Sequence, residues 1–444
     1  MQRLSVGGAI ACWSVVFGVA ARAPSQDRPQ KEFERIRAEA FASDRSASFL
    51  AHLCDRIGPR PTGSAAHALA VEWVAGQLRD AGLSVTTETE TLPHAWQPGP
   101  VKLRIVAPVV RTLDAVAAPF TPGLSAAVEL RLRIAPPDRE EGIDAGVAVL
   151  VDPDAVPLQP RRVHPYAKAG LLLIDSARPR ALLASEVASF AAPFAAGMVP
   201  ACFVTAEDAG MLRRLLASGD TVTIHAEGGG TLLGETHCGE VIADLPGSGV
   251  DLAAATRDDA LVLTLAGLDS APIGTGATMN GAGVAVLAEV ARILKDLGRA
   301  PRRTIRFAFV AGTTEGAGSS FYAARHASEL ARHRFAFALE GGAGRVRGLA
   351  MDGVQSDLER FERFFEPVRD LGATDVGFRG PRTGLSRALK EQKVRAFTFV
   401  QEAPEFGLID ATPADTFDKV PLHDLQESVC VVATALWAAA NEDS

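Results

Sequence analysis

Cysteine and histidine are scarce in this chain of 444 residues, and their spacing excludes the commonest metal and disulfide frameworks. The chain has five cysteines and nine histidines. Cys12 lies in an apolar amino-terminal segment. The other four, Cys54, Cys202, Cys238 and Cys430, are spaced too widely and irregularly for a zinc knuckle or a set of paired disulfides. An exported protein could form a single bridge between two of them, but in a chain of this size we favour buried free thiols.

The sequence also lacks the signals of nucleic-acid, nucleotide and serine-hydrolase sites. A net charge of −8 without any Lys/Arg-rich run argues against nucleic acid or an anionic membrane as a partner. No G-x-S-x-G motif occurs, and the glycine-rich loop at 274–283 lacks the lysine of a phosphate-binding loop. Beyond the amino-terminal segment, no apolar stretch is expected to reach the roughly 18 residues of a membrane-spanning helix.

The amino terminus has the pattern of a secretory signal. Arg3 is followed by an uncharged stretch from Leu4 to Ala21, and Ala21 and Ala23 frame a small-residue cleavage site. We therefore predict a signal peptide at 1–23 and a secreted or periplasmic protein.

The rest of the chain alternates between apolar strands and amphipathic helices. A strand over 261–269, a helix over 281–298 and a buried strand over 302–312 predict an α/β fold, in which helices on both faces sandwich a mixed sheet. We assign this domain to 27–97 and 233–444.

Residues 98–232 interrupt that alternation with short β-like runs and one helix. Thr205 with Asp208 three residues later has the spacing of a capping box at the start of this helix. These residues are predicted to form a separate β-rich insert. The glycine-rich stretch at 228–235 is interpreted as a flexible hinge that returns the chain to the first domain.

A known family matches the motifs between Leu261 and Glu340. LDS, GTGAT, GAGVA and RRTIRF occur there in order. This order resembles the co-catalytic zinc exopeptidases, family 28 of the metallopeptidases, of the carboxypeptidase Q and bacterial leucyl aminopeptidase type. The resemblance extends over residues 45–97 and 236–440. It implies the zinc exopeptidase fold, and it likens the insert to the protease-associated domain that some members carry at this place.

An intact member would be a dizinc aminopeptidase or dipeptidase, but most of the residues that the resemblance assigns to that chemistry are replaced. Gly267 stands where a histidine ligand is expected, and Met279 where an aspartate bridges the two metals. Thr313 occupies the general-base position, and Thr314 and Ala411 occupy two further ligand positions. Four of five metal ligands and the base are therefore missing.

Two acidic residues of the implied site remain. Glu340 stands at the fifth ligand position, and Asp269 at the position of the aspartate that orients the missing histidine. Glu315, Asp410 and Asn280 each adjoin a lost position and are candidate substitutes. One retained carboxylate is too few for a catalytic zinc, which takes three protein ligands and a water.

We therefore expect a pseudopeptidase without a cofactor that binds a peptide or a protein partner. One alternative is an active metal-dependent aminopeptidase or dipeptidase, whose zinc site is rebuilt from Asp269, Glu315, Glu340 and Asp410. Another is an interaction module that acts through the insert. The sequence leaves a homodimer open.

Three basic residues have no role in these hypotheses. Arg60, in the turn at 57–64, could clamp a substrate carboxylate, but a surface turn residue is the favoured interpretation. His326 and His333 fall on the polar side of a predicted helix and are expected to be solvated.

Overall fold

The structure is a computed structural model that describes only part of the chain. The described residues are 27–135, 145–152, 166, 168–183, 199–248, 261–314, 316–351, 355–378, 384–402 and 405–442. The predicted signal peptide at 1–23 and Glu315 lie outside these residues.

The described residues form 18 β-strands and ten α-helices. The strands are β1 (Ser84–Leu92), β2 (Ala95–Gln97), β3 (Val101–Ala107), β4 (Arg111–Leu113), β5 (Ala115–Ala117), β6 (Val128–Ile134), β7 (Ala148–Val151), β8 (Leu171–Asp175), β9 (Ala201–Val204), β10 (Thr223–Gly228), β11 (Thr231–Leu233), β12 (Thr236–Leu245), β13 (Leu261–Gly267), β14 (Thr304–Val310), β15 (His333–Ala338), β16 (Val346–Ala350), β17 (Asp375–Gly377) and β18 (Ala396–Gln401). The α-helices are α1 (Asp27–Ala42), α2 (Arg45–Ala51), α3 (Ala65–Asp80), α4 (Ala206–Ala217), α5 (Ala282–Asp296), α6 (Ser320–Arg325), α7 (Gln355–Phe365), α8 (Gly384–Glu391), α9 (Phe406–Ile409) and α10 (Leu422–Asn441).

The larger domain is built on an eight-stranded sheet of order β1-β12-β14-β13-β15-β18-β16-β17. β14, β13, β15 and β18 run parallel. β1 and β12 pair antiparallel with their neighbours, and β16 pairs antiparallel with β18 but parallel with β17, so the sheet is mixed. One apolar core lies between the sheet and a layer that includes α3, α5 and α10, and a second lies between its other face and α6 and α8. The predicted fold, a mixed sheet sandwiched by helices, is confirmed.

The central strands of the larger sheet and the helix α5 are apolar on all of their faces, because other parts of the protein cover all of these faces. Each residue of β13 and of β14 is buried, as expected for parallel strands with helices on both faces. One helical segment of the described residues, Ala277–Asp296, is long and apolar enough to cross a membrane, with a mean hydropathy of 1.3. The sequence analysis overlooked it. Since 89% of it is buried inside the protein, it has the burial of a core helix.

A second eight-stranded sheet comes from the chain between β1 and β12, in the order β4-β3-β10-β6-β7-β8-β9-β5. β6 to β9 are parallel, and β3, β4 and β10 extend the sheet antiparallel. α4 covers one face with Ala209 and Leu212. The predicted cap is present, since Thr205 accepts a hydrogen bond from the backbone N–H of Asp208 at 3.1 Å.

The interpretation of 228–235 as a flexible hinge is wrong. A Cβ on Gly230 would lie 2.2 Å from the ring of Trp96, and one on Gly228 would lie 2.1 Å from the carbonyl oxygen of Pro100. β11 also pairs with β2. The glycines therefore allow two chain segments to pack closely where the chain leaves and re-enters the larger domain.

The cysteines agree with the expectation of buried thiols. Cys54, Cys202 and Cys430 are free and buried, Cys238 is buried as well, and no disulfide joins any two of these four residues. Burial raises the pKa of the Cys54 thiol to about 11 and that of Cys202 to about 12, so neither is a reactive thiolate at neutral pH.

Candidate functional site

Several residues of the implied site lie at or just beyond the carboxyl ends of three neighbouring parallel strands, β13, β14 and β15, whereas Met279 lies in the helical turn at 277–281 and Ala411 follows α9. Gly267 ends β13, where it pairs with Val310 at the end of β14. Glu340 lies two residues beyond the end of β15, the other neighbour of β13. Loops after parallel strands meet at one edge of the sheet, which is where α/β proteins bind their ligands.

Asp269 is the centre of this edge. Its side chain is completely buried. Oδ1 accepts hydrogen bonds from the backbone N–H of Thr313 at 3.1 Å and from its hydroxyl at 2.7 Å. Oδ2 accepts from the backbone N–H of Thr314 at 2.9 Å and from its hydroxyl at 2.7 Å. The carboxylate therefore holds the loop after β14 through Thr313 and Thr314.

Asn280 occupies the space beside Gly267. A Cβ on Gly267 would lie 2.4 Å from Asn280 Nδ2 and 2.6 Å from Thr313 Oγ1. Asn280 is 1% exposed, and its Nδ2 donates to Thr313 Oγ1 at 2.7 Å and to the carbonyl oxygen of Asp269 at 3.2 Å. A larger residue at 267 therefore requires Asn280 to move.

Asp415 is a second buried carboxylate of the site, and the sequence analysis missed it. It accepts hydrogen bonds from the backbone N–H groups of Thr278 at 2.6 Å and Met279 at 3.2 Å. Burial raises the pKa of this carboxyl, which hydrogen bonds to Thr278 only partly offset. The signal that could have found it is the Thr-Pro-x-Asp-Thr sequence that follows Ala411.

Glu340 is a third acidic residue near this site. Glu340 is half-buried, and its Oε2 accepts from the backbone N–H of Leu385 at 3.2 Å. The loop that follows Glu340 contacts the turn at 277–281, which we call the Met279 turn. The backbone N–H of Gly342 donates to the carbonyl oxygen of Thr278 in this turn at 3.1 Å.

Asp410 and Ala411 follow α9 and are both half-buried. Ala411 has a left-handed backbone with a φ of 54°. The structure therefore places these two residues on the loop that carries Asp415. Glu315, the remaining candidate substitute, lies outside the described residues.

Arg60 is not a surface residue, so the favoured interpretation was wrong. It is 0% exposed, and its guanidinium donates to the backbone carbonyl oxygens of Leu268 at 3.2 Å, Thr275 at 2.9 Å and Gly276 at 3.0 Å. Burial lowers its pKa, which nearby acidic groups partly oppose. With its donors directed at these carbonyl groups, it fixes the loops on either side of Asp269.

The expectation that His326 and His333 are solvated also fails. His333 begins β15, is 5% exposed and lies 2.8 Å from the Tyr322 hydroxyl through Nε2. Burial lowers the pKa of His333 to about 4. His326 is half-buried between Glu88 and Glu329. Burial alone would lower its pKa, but hydrogen bonds to the two glutamates raise it to about 9.

The described residues do not fit a pair of zinc ions. No group of three or more His, Cys, Asp or Glu side chains that could hold a metal ion occurs among them. Both oxygens of Asp269 accept hydrogen bonds from threonine, and the side of Gly267 is filled by a neutral amide. Zinc in proteins takes thiolate, imidazole or carboxylate ligands, so hydroxyl groups engaged in this way are poor replacements.

Comparisons with known proteins agree with the fold and with the motif order. The model of peptidase family M28 matches residues 241–376. The chain is 28% identical over 375 residues to carboxypeptidase Q of Rattus norvegicus, covering 76% of this chain and 74% of that protein. It is 25% identical over 426 residues to the Homo sapiens carboxypeptidase Q, covering 89% and 84%.

Solved structures share the architecture. A peptidase M28 precursor from Shewanella amazonensis SB2B superposes with a TM-score of 0.79 at 24% identity, covering 95% of this chain and 98% of that chain. The zinc aminopeptidase BSAP from Bacillus subtilis superposes with a TM-score of 0.65 at 18% identity, covering 90% and 95%. The family model, the relatives and the ordered motifs around Asp269 therefore agree that the chain is similar to the peptidases of family M28.

Proposed function

We propose that this protein is a non-catalytic member of peptidase family M28 that uses the inherited site to bind a peptide or a protein partner. The observation that carries the proposal is the hydrogen bonding of Asp269. The four described hydrogen bonds to its carboxylate all come from Thr313 and Thr314, whose positions would belong to a base and a metal ligand in an intact enzyme.

The chemistry of peptide hydrolysis supports the same conclusion. A general base must accept a proton from the attacking water, and its loss typically lowers the rate by about 10²–10⁴-fold. The Thr313 hydroxyl cannot take that role, because it is not basic at neutral pH and already donates its proton to Asp269. A zinc ion would supply an activated water and polarise the scissile carbonyl, but the described donors do not fit it.

Export is part of the proposal. The apolar segment before Ala23 supports secretion or delivery to the periplasm, where extracellular peptides are the available ligands. Amino-terminal sequencing of protein from the native host is expected to find a mature chain that begins close to residue 24. An intact Met1 on soluble cytosolic protein would contradict export without affecting the binding proposal.

The decisive experiment restores the lost chemistry. A variant with Gly267→His, Met279→Asp, Thr313→Glu, Thr314→Glu and Ala411→His is compared with the unmodified protein for bound zinc and for hydrolysis of aminoacyl and dipeptide substrates. The expected result is that only the variant binds zinc and gains measurable turnover.

The matched control carries the same substitutions except Ala411→His. It should bind zinc more weakly, because it lacks one ligand of the restored set. Two results would contradict the proposal. One is metal-dependent activity in the unmodified protein, which would favour a rebuilt site that includes Glu315 and Asp410. The other is a folded variant that remains metal-free, which would show that the residues are wrongly assigned.

A further inference from the structure

Four consecutive backbone N–H groups, at positions 311–314, donate to buried side chains at the start of the loop after β14. The N–H of Ala311 donates to Glu240 Oε1 at 3.1 Å, and that of Gly312 donates to Thr62 Oγ1 at 3.1 Å. The third and fourth donate to the two carboxylate oxygens of Asp269. The loop is therefore held by side-chain acceptors, and Glu240 holds its first residue.

Glu240 shares its face of the larger sheet with a group of charges. Its side chain is 0% exposed, and Glu88 lies opposite it on β1, so the two carboxyl groups are on the same face. The nearest charged and titratable groups come from β1, from the end of α6 and from the helical turn after it, and they are Glu88, Glu90, Arg325, His326 and Glu329. Further along this face, Arg306 on β14 is paired with Asp244 and Glu329.

The same charges hold the other end of this loop and of the helix α6 that follows it. His326, directly after α6, lies 3.2 Å from Glu88 Oε2 through Nε2. Arg325, the last residue of α6, donates to Glu90 Oε1 through Nε at 2.9 Å. The segment 311–326 is therefore fixed to β1 and β12 at both ends, and two of the groups that fix it, Glu240 and His326, can lose a proton.

The proton decides whether each of these two groups is accommodated. A neutral Glu240 carboxyl brings no charge into the interior, whereas its carboxylate is buried beside Glu88 and Glu90. Burial first, and these two charges in addition, raise the pKa of Glu240 to about 8. Burial alone would lower the pKa of His326, but hydrogen bonds to Glu329 and Glu88 raise it to about 9. Loss of a proton from either group therefore weakens its hold on the segment.

We propose that Glu240 and His326 form a pH-sensitive switch that holds the segment 311–326 closed while both are protonated and lets it open as the pH rises. In the closed segment the two threonines bind Asp269, as the structure shows. The open segment takes these threonines away from the inherited site. As a control of ligand binding at that site the switch rests on the proposed function, but the segment can be observed without any ligand.

The test is hydrogen–deuterium exchange of the full chain, measured by mass spectrometry at pH 5.0, 6.5 and 8.5. The exchange rate of the N–H groups at 311–314 is compared with the intrinsic rate at each pH, which gives a protection factor. The pKa of Glu240 is about 8 in the closed segment and near its ordinary 4.5 in an open one. The protection factor is therefore expected to fall about tenfold or more between pH 5.0 and 6.5.

The opening is expected to be local. The N–H groups at 311–314 should be less protected than those of α5 at every pH, because α5 lies in the apolar core and exchanges only when the domain unfolds.

Two variants separate the two groups by pH range. Glu240→Gln carries no charge at any pH, so its protection factor at 311–314 should change by less than about twofold between pH 5.0 and 6.5. His326→Gln should keep the fall in that range and show a smaller fall than the unmodified protein between pH 6.5 and 8.5. Glu72→Gln is the matched control, since Glu72 is an exposed glutamate of α3, and it should behave as the unmodified protein does.

Thermal melts should confirm that every variant folds. The proposal is overturned if protection at 311–314 does not change with pH, if Glu240→Gln keeps the fall between pH 5.0 and 6.5, or if 311–314 are as protected as α5. None of these results depends on zinc or on a bound peptide, so the switch and the proposed function fail independently.

Discussion

Two buried carboxylates hold the same loop in different ways. Asp269 and Glu240 are both 0% exposed, and both bind the loop that follows β14. Asp269 accepts four hydrogen bonds from Thr313 and Thr314, whereas Glu240 accepts one, from the backbone N–H of Ala311 at 3.1 Å. Its other oxygen has no hydrogen-bond partner among the described residues.

The difference concerns how a protein accommodates a buried charge. Both oxygens of the Asp269 carboxylate have hydrogen-bond donors, so no acceptor of this buried group is left unsatisfied. Glu240 lies opposite Glu88 in the β1–β12 pair. Burial first, and the negative charges of Glu88 and Glu90 in addition, raise its pKa to about 8. Asp269 should therefore stabilise the fold, while Glu240 should weaken it wherever the unfolded chain can ionise this group.

Replacing the Asp269 carboxylate is expected to have the largest effect on stability. Asp269→Asn places an amide donor against the N–H and hydroxyl donors of a threonine, leaving buried polar groups without acceptors. We expect the free energy of unfolding to fall by about 3–4 kcal/mol, measured by chemical denaturation. Asp220→Asn, at an exposed turn, is the control and should change it by less than about 0.5 kcal/mol. A loss below about 1 kcal/mol for Asp269→Asn would show that the network is not a stabilising element.

Glu240→Gln, in contrast, is expected to increase the free energy of unfolding. The folded pKa of about 8 lies above the ordinary value of 4.5, so the unfolded chain ionises first as the pH rises. The contribution of Glu240 to the free energy of unfolding is therefore fully present below pH 4.5. As the pH rises from 4.5 to 8, this contribution is lost at up to about 1.4 kcal/mol per pH unit. Glutamine removes this loss and should raise the free energy of unfolding by about 2–3 kcal/mol at pH 7. Denaturation at pH 5 and pH 7.5 checks it, and equal pH slopes for both proteins would refute it.

The contact between Gly267 and Asn280 gives an intermediate effect. Gly267→Ala brings a methyl group within 2.4 Å of Asn280 Nδ2 and should destabilise the protein by about 1–3 kcal/mol. In an Asn280→Ala background the same methyl group meets one neighbour fewer and should cost less. A double-mutant cycle is expected to give a coupling energy of about 1–2 kcal/mol. Additive effects would mean that Asn280 does not occupy the space of the missing side chain.

The smallest effect concerns the charged cluster around His326. Its folded pKa of about 9 exceeds the ordinary 6.5, so its contribution is complete below pH 6.5 and is lost as the pH rises through 9. Since the pair with Glu88 and Glu329 is only half-buried, His326→Gln should cost no more than about 1 kcal/mol at pH 6. The cost should approach zero at pH 10, and a cost that does not change with pH would exclude an electrostatic origin.

The sequence predicted the elements whose burial follows a simple pattern. The continuous apolar run of β13 specifies buried positions, and Thr205 specifies its own cap, because these signals are local. Arg60 was misjudged because its partners, at Leu268 and Gly276, are about 210 residues away in the chain. A polar turn residue carries no local sign that it binds distant carbonyl groups.

The contacts within the candidate site were not predicted for the same reason, because they join residues that are distant in the sequence. The resemblance to the family predicts which metal ligands are replaced, but it does not predict that the residues at those positions contact each other. The hydrogen bond between Asn280 and Thr313 depends on the absence of a side chain at Gly267, a third position on another strand. Asp415 was missed because the sequence does not show that its carboxylate accepts hydrogen bonds from a turn more than 130 residues earlier in the chain.

The central claim is that the inherited metal site has become a metal-free network around Asp269. The most direct test is zinc content by mass spectrometry after the unmodified protein is incubated with excess zinc and passed through a desalting column. The account predicts well below one zinc ion per chain and a melting temperature that EDTA does not change. One or two retained zinc ions per chain, with a melting temperature that falls in EDTA, would contradict it.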